Sequence, residues 1–167
     1  MMLKSPAEKI MTLEKAVQWR EQLRITGRRL VVTNGCFDIL HRGHSQYLLE
    51  SRNLGDVQLV LINSDASVQA LKGPLRPVID EFNRAYMLAS LISVDAVVVF
   101  NSSVCAAELC ALAPDIYVKG GDYCLEKLNP EERAALEAGG AEFHFIPFVE
   151  GFSTTTVISR ILAAEAR

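Results

Sequence analysis

Residues 33–44 read Thr33-Asn34-Gly35-Cys36-Phe37-Asp38-Ile39-Leu40-His41-Arg42-Gly43-His44, and their order sets both the fold and the site. The apolar Leu30-Val31-Val32 ahead of them reads as a strand, the small residues as a turn, and His-x-Gly-His as the mouth of a helix. Three residues apart, His41 and His44 fall on one helical face, beside free backbone N–H groups and the positive end of the helix dipole. Gly43 removes a side chain where phosphates need close backbone approach. Such a site holds a polyphosphate with two extra donors, and the chemistry it implies is nucleotidyl transfer.

Outward from this stretch, short apolar runs alternate with helical patterns. Strands are expected at Leu30–Thr33, Gln58–Asn63, Ala96–Phe100, Ile116–Lys119 and Glu142–Ile146. Helices are expected near Ser45–Leu54, Asp65–Leu71, Asp80–Ser93, Val104–Leu112, Pro130–Ala138 and Thr154–Ala164. Within Asp80–Ser93, the spacing of Phe82, Tyr86 and Ala89 marks a buried stripe. The rhythm predicts an α/β fold: a Rossmann-like open parallel five-stranded sheet with helices on both faces. Residues 1–28 read as an N-terminal extension, with a helix over 12–26 carrying Leu13, Val17 and Trp19. Residues 29–167 read as the catalytic domain, so the whole forms a single domain.

A net charge of −3 without a basic block argues against nucleic acid as a partner. No apolar run reaches the ~18 residues of a membrane span, and the N-terminus has no signal-peptide core, so a cytoplasmic protein with no membrane partner is expected. The four cysteines form no C-x-x-C pair, and with three histidines a structural zinc site is disfavoured. Cys105 and Cys110 lie in an apolar segment and read as buried small hydrophobes. Cys36 reads as a supporting position within the motif.

Three further segments carry chemistry. Leu71-Lys72-Gly73-Pro74-Leu75-Arg76-Pro77 is a stiffened, positively charged loop suited to covering an anion. In Glu150-Gly151-Phe152-Ser153-Thr154-Thr155-Thr156, Ser153 is an N-cap and the threonines place hydroxyls in the first turn of the last helix. Val118-Lys119-Gly120-Gly121-Asp122-Tyr123 follows a strand, and its paired glycines allow flat approach to a base or sugar. Attack of one phosphate on another brings anions together, so the catalyst needs fixed positive charge and donors more than a nucleophile. His41, His44, Lys72, Arg76 and helix amides supply them. No Gly-x-x-x-x-Gly-Lys-Ser/Thr or G-x-G-x-x-G string is present, which excludes a P-loop kinase and counts against a dehydrogenase.

Gly35-x-Phe37-Asp38-x-x-His41-x-Gly43-His44, with Gly151-x-Ser153-Thr154-Thr155 far downstream, resembles the cytidylyltransferase-like nucleotidyltransferase superfamily. Asn63-Ser64-Asp65-Ala66-Ser67, Leu71-Lys72-Gly73 with Arg76-Pro77-Val78, and Val118–Tyr123 narrow the resemblance to the heptose 1-phosphate adenylyltransferase branch, the adenylyltransferase domain of ADP-heptose synthase. The resemblance implies transfer of AMP from ATP to D-glycero-β-D-manno-heptose 1-phosphate, giving ADP-heptose and pyrophosphate for lipopolysaccharide core synthesis. It implies that His41, His44 and Lys72 are catalytic. Gly35, Cys36, Phe37, Gly43, Lys119, Gly120, Gly121, Asp122, Tyr123, Ser153, Thr154 and Thr155 would bind the nucleotide. Asp38, Asn63, Asp65 and Arg76 would face the sugar phosphate, with Asp38 orienting a motif histidine or a metal-bound water. Mg²⁺ is expected to be bridged by the triphosphate, with no protein ligand assigned.

Bifunctional relatives carry an N-terminal sugar kinase for which this chain has no room, so the resemblance implies a stand-alone transferase, a separate kinase and a homo-oligomer. Cytidylyltransferases for glycerol phosphate carry Arg-Thr-Glu-Gly where this chain has Phe148-Val149-Glu150-Gly151, which favours the heptose branch. The rivals are a cytidylyltransferase for a polyol or amino-alcohol phosphate, a transferase for another sugar phosphate such as a 6-deoxyheptose, and a non-catalytic nucleotide-binding module. Mere binding would not need both imidazoles. Class I aminoacyl-tRNA synthetases share a similar histidine signature but are far longer.

Overall fold

The computed structural model describes residues 5–147 and 151–165. Five strands, β1 (Leu30–Gly35), β2 (Val57–Asn63), β3 (Ala96–Phe100), β4 (Ile116–Gly120) and β5 (Glu142–Ile146), pair in parallel in the order β3-β2-β1-β4-β5. Thr33 is flanked by Val60 on one side and Val118 on the other, which fixes the register about β1. The chain winds outward from β1 to β3, then crosses back to β4 and β5. That reversal opens a crevice at the C-terminal ends of β1 and β4, where open α/β sheets take their ligands. β1 continues through Asn34 and Gly35, so the motif begins as strand rather than turn.

The helices are α1 (Pro6–Lys9), α2 (Leu13–Ile25), α3 (Arg42–Arg52), α4 (Asp65–Lys72), α5 (Glu81–Ala89), α6 (Ala106–Leu112), α7 (Pro130–Gly139) and α8 (Thr154–Glu165). Side-chain alternation along the strands divides the interior into two layers. Leu30, Val32, Leu59, Leu61 and Tyr117 meet Leu23 of α2, Leu109 of α6 and Leu136 of α7 on one face. Val60, Ile62 and Val97 meet Leu48 of α3 and Leu88 of α5 on the other. Each such side chain contributes about 1.5–3 kcal/mol by leaving water. All of β2 is buried, and its polar Gln58 donates to the Leu48 and Ser93 carbonyls at 2.9 Å each.

The helix expected over residues 12–26 is α2, and it is built into the main core. Ala16 and Leu23 are buried, while Trp19 packs half-buried beside them. Arg20, also buried, donates to the Leu112 and Ala113 carbonyls at 3.2 and 3.0 Å and pairs with Asp115 at 2.9 Å.

Two expectations about packing are corrected. On α5, Phe82 and Tyr86 are exposed, and the buried face is Arg84, Ala85, Leu88 and Ala89. An arginine holds an inward position there because its guanidinium finds acceptors inside, and apolar spacing cannot register that. The helix also ends at Ala89 rather than Ser93. Cys110 is exposed on α6, in contrast to buried Cys105, which precedes that helix as its N-cap.

Candidate active site

A cleft of about 760 Å³ lies at the switch point and reaches from Lys72 to Thr155. Its floor is shaped by the end of β1. Phe37 adopts a left-handed conformation (φ 47°) and is buried, which swings the chain from strand toward α3. Its ring lies edge-on to His44, with centroids 5.2 Å apart. A Cβ at Gly35 would lie 3.0 Å from that ring, a tight contact that glycine avoids.

The two motif histidines meet, but not as neighbours on one helical face. His41 is the N-cap of α3, with extended backbone (φ −141°, ψ 172°), and only His44 is helical. Their rings stack, with centroids 3.8 Å apart and an 18° interplanar angle. No side chain caps α3; the His44 amide donates to the His41 carbonyl at 3.0 Å, which leaves the Arg42 and Gly43 amides for an anion. A Cβ on Gly43 would lie 3.1 Å from both the His41 ring and Phe152 Cβ, so close ring packing is a sufficient reason for glycine. Burial lowers the His41 pKa. Burial, then the charges of His41 and Lys72, push His44 down to about 4. Both Nδ1 atoms are buried and lack a partner among the described residues. Burial thus favours the neutral form of both rings, opposed at His44 by a hydrogen bond to the Ile39 backbone.

Lys72 ends α4 and stands exposed at the cleft, and the loop after it is clamped by Asp38. Asp38 accepts from the Val78 and Ile79 amides at 2.8 and 3.0 Å and pairs with Arg76. Burial alone would raise its pKa, but the Ile79 amide, Arg76 and the Val78 amide outweigh it and hold the carboxyl low. The expectation that Asp38 orients a histidine is therefore corrected: its oxygens are committed to the loop. Asp65 is corrected too. It lies off the cleft, paired with Arg84 at 2.8 Å. Asn63 does line the cleft, yet its Nδ2 donates to Ser67 Oγ at 2.9 Å and its Oδ1 faces the Cys36 thiol at 3.7 Å. Sequence reading missed Arg84, a buried hub that donates to the carbonyls of Ile79, Cys36 and Asn63 as well as to Asp65. It ties the motif, the end of β2 and the charged loop into one rigid wall.

On the opposite wall, Lys119, Gly120 and Tyr123 line the cleft, whereas Gly121 and Asp122 do not. Gly121 donates to the Ile146 carbonyl at 2.8 Å, and exposed Asp122 pairs with Lys127 at 3.0 Å. Lys119 Nζ sits 2.6 Å from Asn34 Oδ1, which also accepts from Tyr117 at 2.7 Å. Tyr47 joins β1 to β4 by its hydroxyl, 2.6 Å from Thr33 and 3.1 Å from the Val118 carbonyl; a Cβ at Gly120 would strike its ring at 3.0 Å. Ser153 Oγ caps α8 by accepting from the Thr156 amide at 3.0 Å, and Thr154 and Thr155 face the cleft. Phe148–Glu150 lie outside the described residues. Phe152, also unanticipated, sits under the Arg42 guanidinium (5.6 Å) and beside His41 (6.3 Å), joining the two helix N-termini.

The geometry has counterparts among known proteins. The bifunctional protein HldE of Trichlorobacter lovleyi is 46% identical over 139 residues, covering 83% of this chain and 28% of that protein. HldE of Helicobacter pylori (strain ATCC 700392 / 26695) is 43% identical over 153 residues, covering 92% of this chain and 31% of that protein. The chain thus spans less than a third of these curated relatives. A lipopolysaccharide core biosynthesis protein from Thermoplasma volcanium superposes with a TM-score of 0.59 at 29% identity, over 74% of this chain and 98% of that one. Thermotoga maritima TmcAL, solved with alpha-thio ATP, shares the fold at a TM-score of 0.58 and 18% identity, over 83% of this chain and 51% of its own. The cytidylyltransferase-like family profile matches residues 32–160, from β1 through the motif helix to α8, and the chain belongs to that family.

Proposed function

We propose that this domain transfers AMP from ATP to D-glycero-β-D-manno-heptose 1-phosphate, releasing pyrophosphate and forming ADP-heptose for lipopolysaccharide core synthesis. The observation that carries the reading is the stacked His41–His44 pair, set at an uncapped helix N-terminus in the same cleft as Lys72 and the start of α8. Similarity to HldE over most of the chain supports the heptose branch.

In this reading an oxygen of the sugar phosphate attacks the α-phosphorus. The bond from that phosphorus to the bridging oxygen breaks, and its electron pair leaves with pyrophosphate. Negative charge gathers on the transferring group, so groups fixed in advance where it develops lower the barrier. His41 and His44 donate to the phosphate chain, with the α3 amides beside them. Lys72 neutralises the meeting of the α-phosphate and the sugar phosphate. Thr154, Thr155 and the α8 N-terminus hold the β- and γ-phosphates, and Ser153 shapes that terminus by capping it. Mg²⁺ would enter with ATP as part of the substrate and would offset charge on the triphosphate held by Thr154, Thr155 and the α8 N-terminus. The base and ribose lie toward Gly120 and Tyr123, and the sugar phosphate lies toward Lys72, Arg76 and Asn63. A sugar kinase supplies the acceptor, the setting is the cytoplasm, and the working assembly is a homo-oligomer.

The reading is tested by ³¹P NMR of ATP, Mg²⁺ and the heptose 1-phosphate with the protein. Paired diphosphate-ester resonances growing with free pyrophosphate are expected. ATP that stays intact, or yields only ADP and phosphate, contradicts it.

A further inference from the structure

The sugar-facing set drawn from sequence is depleted in the folded protein: Asp65 is off the cleft, Asp38 and Arg76 hold each other, and Asn63 is bonded on its amide. Something else must read the hydroxyls of a polyhydroxylated acceptor. Glu132 has the required properties. It sits in the first turn of α7, lines the cleft, and is only 5% exposed.

Its Oε1 is engaged by the protein, accepting from the Cys105 amide at 3.0 Å, the Cys105 thiol at 3.3 Å and Asn34 Nδ2 at 3.5 Å. Its Oε2 accepts no hydrogen bond among the described residues. Nor does Glu132 form an ion pair among them, since Lys119, the cation of this network, places its ammonium on Asn34 instead. Glu132 Oε2 is not among the buried unpartnered side-chain atoms, so it opens to the cleft, where the donors of a bound molecule can reach it. The rest of the cleft is built for anions, and a carboxylate there repels phosphate. A neutral group rich in O–H donors is the complement of that free oxygen.

Glu132 is anchored to Cys105, in the turn after β3, and Ser103 and Val104 of that turn also line the cleft. The Cys105 bond places it beside the turn after β3, and the Asn34 bond places it at the end of β1. We infer that Glu132 is a specificity-determining residue whose free carboxylate oxygen accepts hydrogen bonds from the hydroxyls of the acceptor sugar. The inference rests on the reading of the protein as a sugar 1-phosphate nucleotidyltransferase.

The test is Glu132→Gln, nearly isosteric, with KM measured separately for the sugar 1-phosphate and for ATP, alongside ATP binding and melting temperature. The expected result is a KM for the sugar raised roughly 10- to 100-fold, the scale of losing a buried charge-assisted hydrogen bond, with ATP binding unchanged. Discrimination between the heptose and a hexose 1-phosphate of the same ring configuration is expected to shrink as well. If Glu132→Gln melts early, Glu132→Asp, which keeps the charge but withdraws it from the cleft, is read by the same split. Weakened ATP binding with unchanged sugar KM overturns the inference and assigns the carboxylate to the nucleotide's ribose. Both constants unchanged overturn it in favour of a purely structural tie between α7 and the β3–α6 turn. Wild-type protein inactive on every sugar 1-phosphate overturns the parent reading, and this one with it.

Discussion

His41 and His44 stack face to face with ring centroids 3.8 Å apart. Two imidazolium ions cannot comfortably share that spacing, and burial already lowers both pKa values, His44 to about 4. A polyphosphate placed against the rings reverses the balance, because an anion favours the charged form. Between about pH 4 and 6.5 the nucleotide complex therefore holds more protons than the free protein, and by linkage affinity rises as pH falls. Calorimetry of MgATP binding at pH 6 in two buffers of different ionisation enthalpy should show proton uptake. Identical enthalpies in both buffers would exclude it.

In the proposed mechanism His44→Ala removes a transition-state donor while leaving the sheet untouched. A kcat reduced by roughly 10²- to 10³-fold is expected. A melting temperature near that of the wild type should accompany it. Near-normal turnover in this variant would dismiss the proposed mechanism.

Asp38 acts through the loop that follows Lys72. Asp38→Asn keeps the shape but loses the pairing with Arg76, and loop misplacement of about an ångström costs about 10²-fold in kcat/KM. If Asp38 serves chiefly to position Lys72, the double variant with Lys72→Met should be little slower than Lys72→Met alone. Additive losses would give Asp38 a separate role.

Arg84→Met strands three carbonyls and the Asp65 carboxylate together. A stability loss of at least ~3 kcal/mol in urea unfolding is expected. A loss under 1 kcal/mol, on the order of an exposed ion pair, would show that the hub is not structural.

Acid sensitivity should trace to Asp115. Burial would raise its pKa, but Arg20 and the Leu30 amide, then Arg29, hold it below the usual value. The unfolded chain therefore takes up this proton first as pH falls, and the contribution present above about pH 4 disappears as pH drops through the folded value. Asp115→Asn should lower the melting temperature at pH 7 and flatten its decline below pH 4. An unchanged acid slope would place the sensitivity elsewhere.

The strands were legible because Val, Ile and Leu runs such as Ala96–Phe100 suit a sheet covered on both faces. His41, His44 and Thr155 were legible as cleft residues because each lies in a short motif at a helix start, and Lys72 because it ends a helix at a stiff, charged loop. The roles of Asp65 and Asp122 were not: a carboxylate's partner is set by tertiary neighbours, and these two face Arg84 and Lys127. Arg84 resembles an ordinary surface arginine until the chain folds around it, and Glu132 resembles a first-turn helix acid. The extended N-cap conformation of His41 was hidden for a related reason, since the spacing of two histidines does not say where the helix begins.

Adenylyl transfer to a sugar 1-phosphate is read out as pyrophosphate release. The protein is supplied with D-glycero-β-D-manno-heptose 1-phosphate and Mg²⁺, with ATP and CTP in parallel. Rapid release with ATP, dependent on the sugar phosphate, is expected, with little from CTP. Release with CTP alone, or none with ATP although the nucleotide binds, would contradict it.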